Sequence, residues 1–85
     1  DHKKAKVYFR DKAVTLPVSL QYLETRLPAE LFVRANRSQI LNVTAVAKAD
    51  ELVDGTIQLT LQDGFSGTVL LSRRQSALFR HRCAL

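Results

Sequence analysis

Short strand-like runs of apolar and polar positions recur along this chain, and the wider spacing of a helix interrupts them. Lys6 to Phe9 and Val14 to Leu16 read as short strands joined through Arg10-Asp11-Lys12, a polar tripeptide of hairpin length. The period then changes. Leu20, Leu23 and Leu27 fall on one helical face, with Ser19 as N-cap and Val18 placed to pack on Leu23 as a hydrophobic staple. Leu27-Pro28 stops the segment, so a short amphipathic helix is predicted from Ser19 to Arg26.

Phe32 to Ala35 reads as a strand that leaves its sheet at Asn36-Arg37-Ser38 and re-enters the core at Ile40 and Leu41, the way a scaffold displays a contact loop. If Phe32 points inward, Arg34 shares its face, and its guanidinium either meets a carboxylate such as Glu24 or Glu30 or emerges at the sheet rim. Val43 to Ala49 is predicted as a further strand. Asp54-Gly55 then supplies a hairpin turn, and Ile57, Leu59 and Leu61 alternate with Thr56, Gln58 and Thr60 as a half-buried strand requires. A second Asp-Gly pair, Asp63-Gly64, turns the chain into Thr68 to Leu71, which makes an antiparallel meander. Ser72 with Gln75 three residues on forms a capping-box pattern, and Leu78, Phe79, Cys83 and Leu85 can line the core-facing stripe of a terminal helix. The sum is five or six mostly antiparallel strands with two short helices. Phe32, Ile40, Leu59, Leu61, Leu20 and Leu23 are core by pattern, and Asn42, between Leu41 and Val43, reads as a structural amide.

Eighty-five residues make one domain, and a domain this small hides only about 60% of its unfolded surface, which argues against a large enzyme pocket. No uncharged run approaches the roughly 18 apolar residues of a membrane span. The single cysteine, Cys83, cannot close an intramolecular disulfide, and no signal-type segment opens the sequence, so the expected location is the cytoplasm. The sequons at Asn36-Arg37-Ser38 and Asn42-Val43-Thr44 would matter only in a secretory protein and are read as chance.

Catalysis and metal binding find no support. Cys83 and His81 stand two apart on the terminal helix and do not face each other, and His2 is distant in sequence. One cysteine and two separated histidines lack ligand spacing, Asp50, Glu51 and Asp54 read as an exposed strand end, and no phosphate-cradling glycine loop is present. The chain is therefore expected to be no enzyme and to need no cofactor or metal.

Charge points elsewhere. Thirteen Lys and Arg against eight Asp and Glu give a net charge of +5, which favours a polyanionic partner through long-range attraction and counterion release. Arg37 can fork onto guanine or clamp phosphate, Asn36 offers the donor and acceptor that an adenine edge matches, and Ser38 can hydrogen-bond a phosphate. Asn36 and Ser38 can equally cap a turn, and Arg37 can be a solvated surface charge. No aromatic stripe offers a stacking platform for single strands, so double-stranded DNA is preferred, with RNA disfavoured for the same reason. A basic β-rich protein–protein interaction module, using the two Asp-Gly turns as its rim, is the alternative from another class.

The stretch from Phe32 through Arg34, Asn36, Arg37, Ser38 and Leu41 to Asn42 resembles the central signature of the LytTR family of bacterial DNA-binding domains, although Asn36 stands where the family usually has His. Ser19-Leu20 with Leu23-Glu24 and Leu27 upstream, and Asp63-Gly64, Val69, Ser72-Arg73-Arg74 and Leu78 downstream, extend the likeness from about Val7 to Leu85. That resemblance implies a mainly β fold, a small elongated antiparallel β sandwich with two short helices. It implies contacts to successive major grooves from three segments: His2, Lys3 or Lys4 in the first, Asn36, Arg37 and Ser38 in the second, and Arg73 and Arg74 in the third. Positive charge in the first turn of a helix opposes the helix dipole, and a site for an anion explains the placement of Arg73 and Arg74. The family further implies the output domain of a response-regulator-type transcription regulator, with a receiver or membrane sensor elsewhere in the parent protein and promoter DNA as partner. Repeated half-sites and a homodimer on DNA are open alternatives. Because another strand or more usually precedes the region matched by Val7, residues 1–85 are expected to form a single domain lacking its first strand or strands.

Overall fold

The computed structural model describes residues 4–62 and 68–82. Its first sheet has the order β2-β1-β4-β3, built from β1 (Ala5–Tyr8), β2 (Ala13–Leu16), β3 (Phe32–Arg34) and β4 (Gln39–Asn42). The second is the meander β5 (Val46–Glu51), β6 (Ile57–Leu61) and β7 (Thr68–Leu70). Helix α1 (Leu20–Arg26) connects β2 to β3, and α2 (Arg73–Arg82) follows β7. The predominantly antiparallel expectation meets one exception: β1 and β4 run parallel, with Val7 opposite Ile40 and Tyr8 opposite Leu41.

The first sheet is the middle layer, and the period of two explains why. Ala5, Val7 and Ile40 face α1, where they pack with Leu20 and Leu23. Tyr8 and Leu41, one residue on, point the other way and join Ile57, Leu59, Leu61, Val69 and Leu71 in the core between the sheets. Adjacent Ile40 and Leu41 are therefore both buried, on opposite faces. Helix α1 begins at its predicted cap, Ser19, whose Oγ accepts from the Tyr22 N–H at 3.1 Å, and ends at Leu27. Val18 packs into the same cluster.

Two local expectations change. Residues 43–49 do not form one strand: Val43–Ala45 is a single 3-10 turn, because Asn42 Oδ1 accepts from the Thr44 N–H at 2.8 Å and from its hydroxyl at 2.6 Å. That side chain diverts the backbone from ladder pairing until Val46. Asn42 is accordingly a structural amide, half-buried. Leu78 does not face the core; it is 53% exposed, and the inward face of α2 carries Ser76 and Phe79 instead. Cys83, Leu85 and the Asp63-Gly64 turn lie outside the described residues. In the other Asp-Gly turn, Gly55 takes a φ of +88°, a conformation that disfavours any side chain.

Ser76, fully buried, has a defined job. Its Oγ accepts from the Ile57 N–H at 2.9 Å, where β6 begins and no strand neighbour serves that donor. Ser76→Ala should strand a buried N–H and cost about 1–3 kcal/mol in urea denaturation. An unchanged unfolding midpoint would refute this role.

Candidate nucleic-acid interface

Three chain segments meet at one end of the first sheet. The turn at residues 36–38 closes the β3–β4 hairpin, with the Ala35 N–H donating to the Gln39 carbonyl at 2.9 Å. Parallel pairing sets the start of β1 beside it, since the Lys6 N–H donates to the Ser38 carbonyl at 2.9 Å; Lys4, exposed, precedes that strand. From the second sheet, the Ser72 N–H donates to the Ala35 carbonyl at 2.9 Å, which brings the start of α2 to the same place. The predicted cap holds there, with Ser72 Oγ accepting from the Gln75 N–H at 3.2 Å.

Arg34, Asn36, Arg37, Ser72, Arg74 and Gln75 line a concavity of about 240 Å³ between the turn and the helix start. Arg37 and Arg74 are exposed and make no hydrogen bond or ion pair among the described residues. Arg34, Arg73 and Arg80 are committed elsewhere. Arg34 Nη1 meets Glu24 Oε1 at 3.2 Å and its Nε donates to the Asn36 carbonyl at 3.2 Å, so it braces the turn against α1. Arg73 turns toward the β5–β6 connection and donates to the Asp54 carbonyl at 3.1 Å. Arg80 holds the same connection through Glu51 and the Gly55 carbonyl.

Among the segments expected to contact a ligand, the fold thus gathers Lys4, Asn36, Arg37, Ser38 and Arg74 at one end and directs the Arg73 side chain to another contact. His2 and Lys3 lie outside the described residues. Gln75 and Ser72 also line the concavity, although their pattern in the sequence announces only a cap; its i to i+3 spacing puts the two on one face of the helix start. No cluster of His, Cys, Asp or Glu suited to a metal occurs among the described residues, and no helix among them is long and apolar enough to cross a membrane.

The family model described as the LytTr DNA-binding domain matches residues 1–84. The chain belongs to the LytTR family of DNA-binding domains. A solved structure bears this out: the LytTr DNA-binding domain of a protein described as a methyl-accepting/DNA response regulator from Bacillus cereus superposes with a TM-score of 0.74 at 28% identity, over 88% of this chain and 67% of that one. A comparison with curated proteins finds no match. Membership in this family makes DNA the partner.

Asp54 links that end to the β5–β6 turn. Its carboxylate accepts from the Thr56 hydroxyl at 2.6 Å and the Thr56 N–H at 3.0 Å; these bonds, in that order, with the charge of Arg73 adding to them, outweigh desolvation and hold its pKa below the ordinary aspartate value. A lowered carboxylate pKa stabilises the fold above the unfolded-state value and loses that contribution as pH falls through the folded one. Melting temperature should therefore drop below about pH 4, and Asp54→Asn, which keeps an acceptor without the titration, should show a shallower drop. Parallel melting profiles for the two proteins would exclude Asp54 as a contributor.

Proposed function

We propose that this domain binds double-stranded DNA with sequence preference, as the output domain of a cytoplasmic bacterial transcription regulator of the response-regulator type, and carries no catalysis. One observation supports the assignment most: within a family of DNA-binding domains, Arg37 and Arg74 line a shared concavity with no partner among the described residues, while Arg34, Arg73 and Arg80 are spent on internal contacts. A side chain that the fold does not use is available to a ligand, and a guanidinium offers the bidentate geometry that guanine edges and phosphates match.

In this reading Arg37 and Arg74 enter the groove, Ser38 supplies a hydroxyl at the backbone, Lys4 neutralises a phosphate, and His2 and Lys3 belong to the same contacting segment of the chain as Lys4. Arg73 contributes charge at a distance. The net charge of +5 draws the domain to DNA before any base is read. Promoter DNA with repeated half-sites, occupied by two copies, and control by a receiver or sensor domain of the parent protein complete the proposal.

Selection from a random double-stranded DNA library at increasing salt tests it. Enrichment of a short motif that survives moderate salt is the expected result; salt-labile retention without any motif would overturn sequence preference. Arg37→Ala and Arg74→Ala should each weaken binding to the selected motif by roughly 1–3 kcal/mol and relax the preference at the base they read. Lys4→Ala should lower affinity evenly across sequences and flatten the salt slope by about one unit, and Arg73→Ala should do less than Arg74→Ala. Equal losses at Arg73 and Arg74 would contradict the division between free and engaged arginines.

A further inference from the structure

Asn36 has the most heavily engaged side chain at the basic end. Its Nδ2 donates to Gln39 Oε1 at 2.7 Å and to the Leu70 carbonyl at 2.9 Å, while Oδ1 accepts from the Ser38 N–H at 3.0 Å and the Ser38 hydroxyl at 3.3 Å. A carboxamide has two N–H donors and two acceptor lone pairs on its oxygen, and here all are used. Gln39 passes the contact on: its Nε2 donates to the Tyr8 hydroxyl at 3.0 Å, and Tyr8 is buried in the core between the sheets.

This chain of bonds crosses the molecule. It starts at Leu70 in β7 of the second sheet, runs through Asn36 and Gln39, and ends at Tyr8 in β1 of the first. Arg37 follows Asn36 directly, and Arg74 sits four residues beyond Leu70. The Asn36 amide is therefore the side-chain tie between the two segments that carry the free arginines, running beside the backbone bond from Ser72 to Ala35.

We propose that Asn36 is a positioning residue that clamps the 36–38 turn to the second sheet and sets the placement of Arg37 relative to Arg74, and that it does not itself read a base. Reading an adenine edge needs a free N–H and a free oxygen on the amide, and using them would leave the Leu70 carbonyl and the Ser38 N–H without these partners. The consequence for recognition rests on the DNA-binding reading above, whereas the clamp is a property of the free domain.

The test uses the 85-residue chain with Asn36→Ala and, as a second variant outside the turn, Gln39→Leu. Amide hydrogen exchange of the DNA-free protein reports the clamp: in Asn36→Ala, exchange at Ser38 and Ser72 should accelerate by about tenfold or more while β6 stays protected. Affinity for the selected DNA motif should fall by about tenfold or more, with the same base still favoured at every position, and binding to random DNA at low salt should stay within about twofold. Gln39→Leu should reproduce both effects more weakly. Loss of preference at a single base pair, with the rest of the motif intact, would overturn the proposal and make Asn36 a base reader. Unchanged exchange at Ser38 and Ser72 would overturn the clamp. Wild-type behaviour of Gln39→Leu in both measurements would overturn the route through β1. If the parent chain binds no DNA, the functional reading falls by itself and the exchange data alone decide the clamp.

Discussion

The constraint on which the rest of this structure depends is the burial of β4 on both faces. Ile40 and Leu41 are neighbours in sequence and each is almost fully buried, one against α1 and one against the second sheet. A strand can satisfy that only as part of a middle layer, so the first sheet must be covered on both sides, and burying each of these side chains contributes about 1.5–3 kcal/mol. Pairing β4 with β1 in parallel sends the start of both strands to the same end. The 36–38 turn, the entry to β1 and the start of α2 meet there for that reason. The basic end is a consequence of how a two-faced strand is covered.

Short polar side chains then shape what the layers leave open. The same local device recurs at Asn36, Asn42 and Asp54, each followed two residues later by Ser or Thr, with the side-chain oxygen accepting from the backbone N–H and hydroxyl of that residue. Such turns hold a backbone reversal without a glycine at the leading position and keep its N–H groups paired. At Asn42 the turn ends a strand, and at Asp54 it closes a hairpin. At Asn36 the free half of the amide reaches across to Leu70, so a local turn becomes a long-range tie.

Arginine allocation follows the same logic. Arg34, Arg73, Arg80 and Arg82 donate to carbonyls or carboxylates, with Arg82 reaching the Glu30 carbonyl at 3.1 Å, and thereby fasten α1, α2 and the β5–β6 turn to one another. Exposed pairs of this kind contribute little individually, yet they remove charge from circulation. What remains around the concavity without a partner among the described residues is Arg37 and Arg74, and a basic composition thereby becomes a localised positive charge.

Much of this was legible in the primary structure, because the signals are local. Ser19 and Ser72 announce their helices, Asp54-Gly55 announces its turn, and the alternation of Ile57, Leu59 and Leu61 announces a half-buried strand. The family signature around Arg37 is likewise read from consecutive residues. Other features depend on partners far away in sequence. Leu78 and Phe79 are equivalent until α2 is laid on the core, and adjacent Arg73 and Arg74 differ only because Asp54 waits beside one of them. By itself, the sequence determined the elements, the sign of the charge and the turn that displays it, since these rest on interactions within a few residues. The tertiary structure alone decided which arginines stay free and what Asn36 holds, since a side chain's availability depends on which distant donors and acceptors the packed layers bring within hydrogen-bond reach.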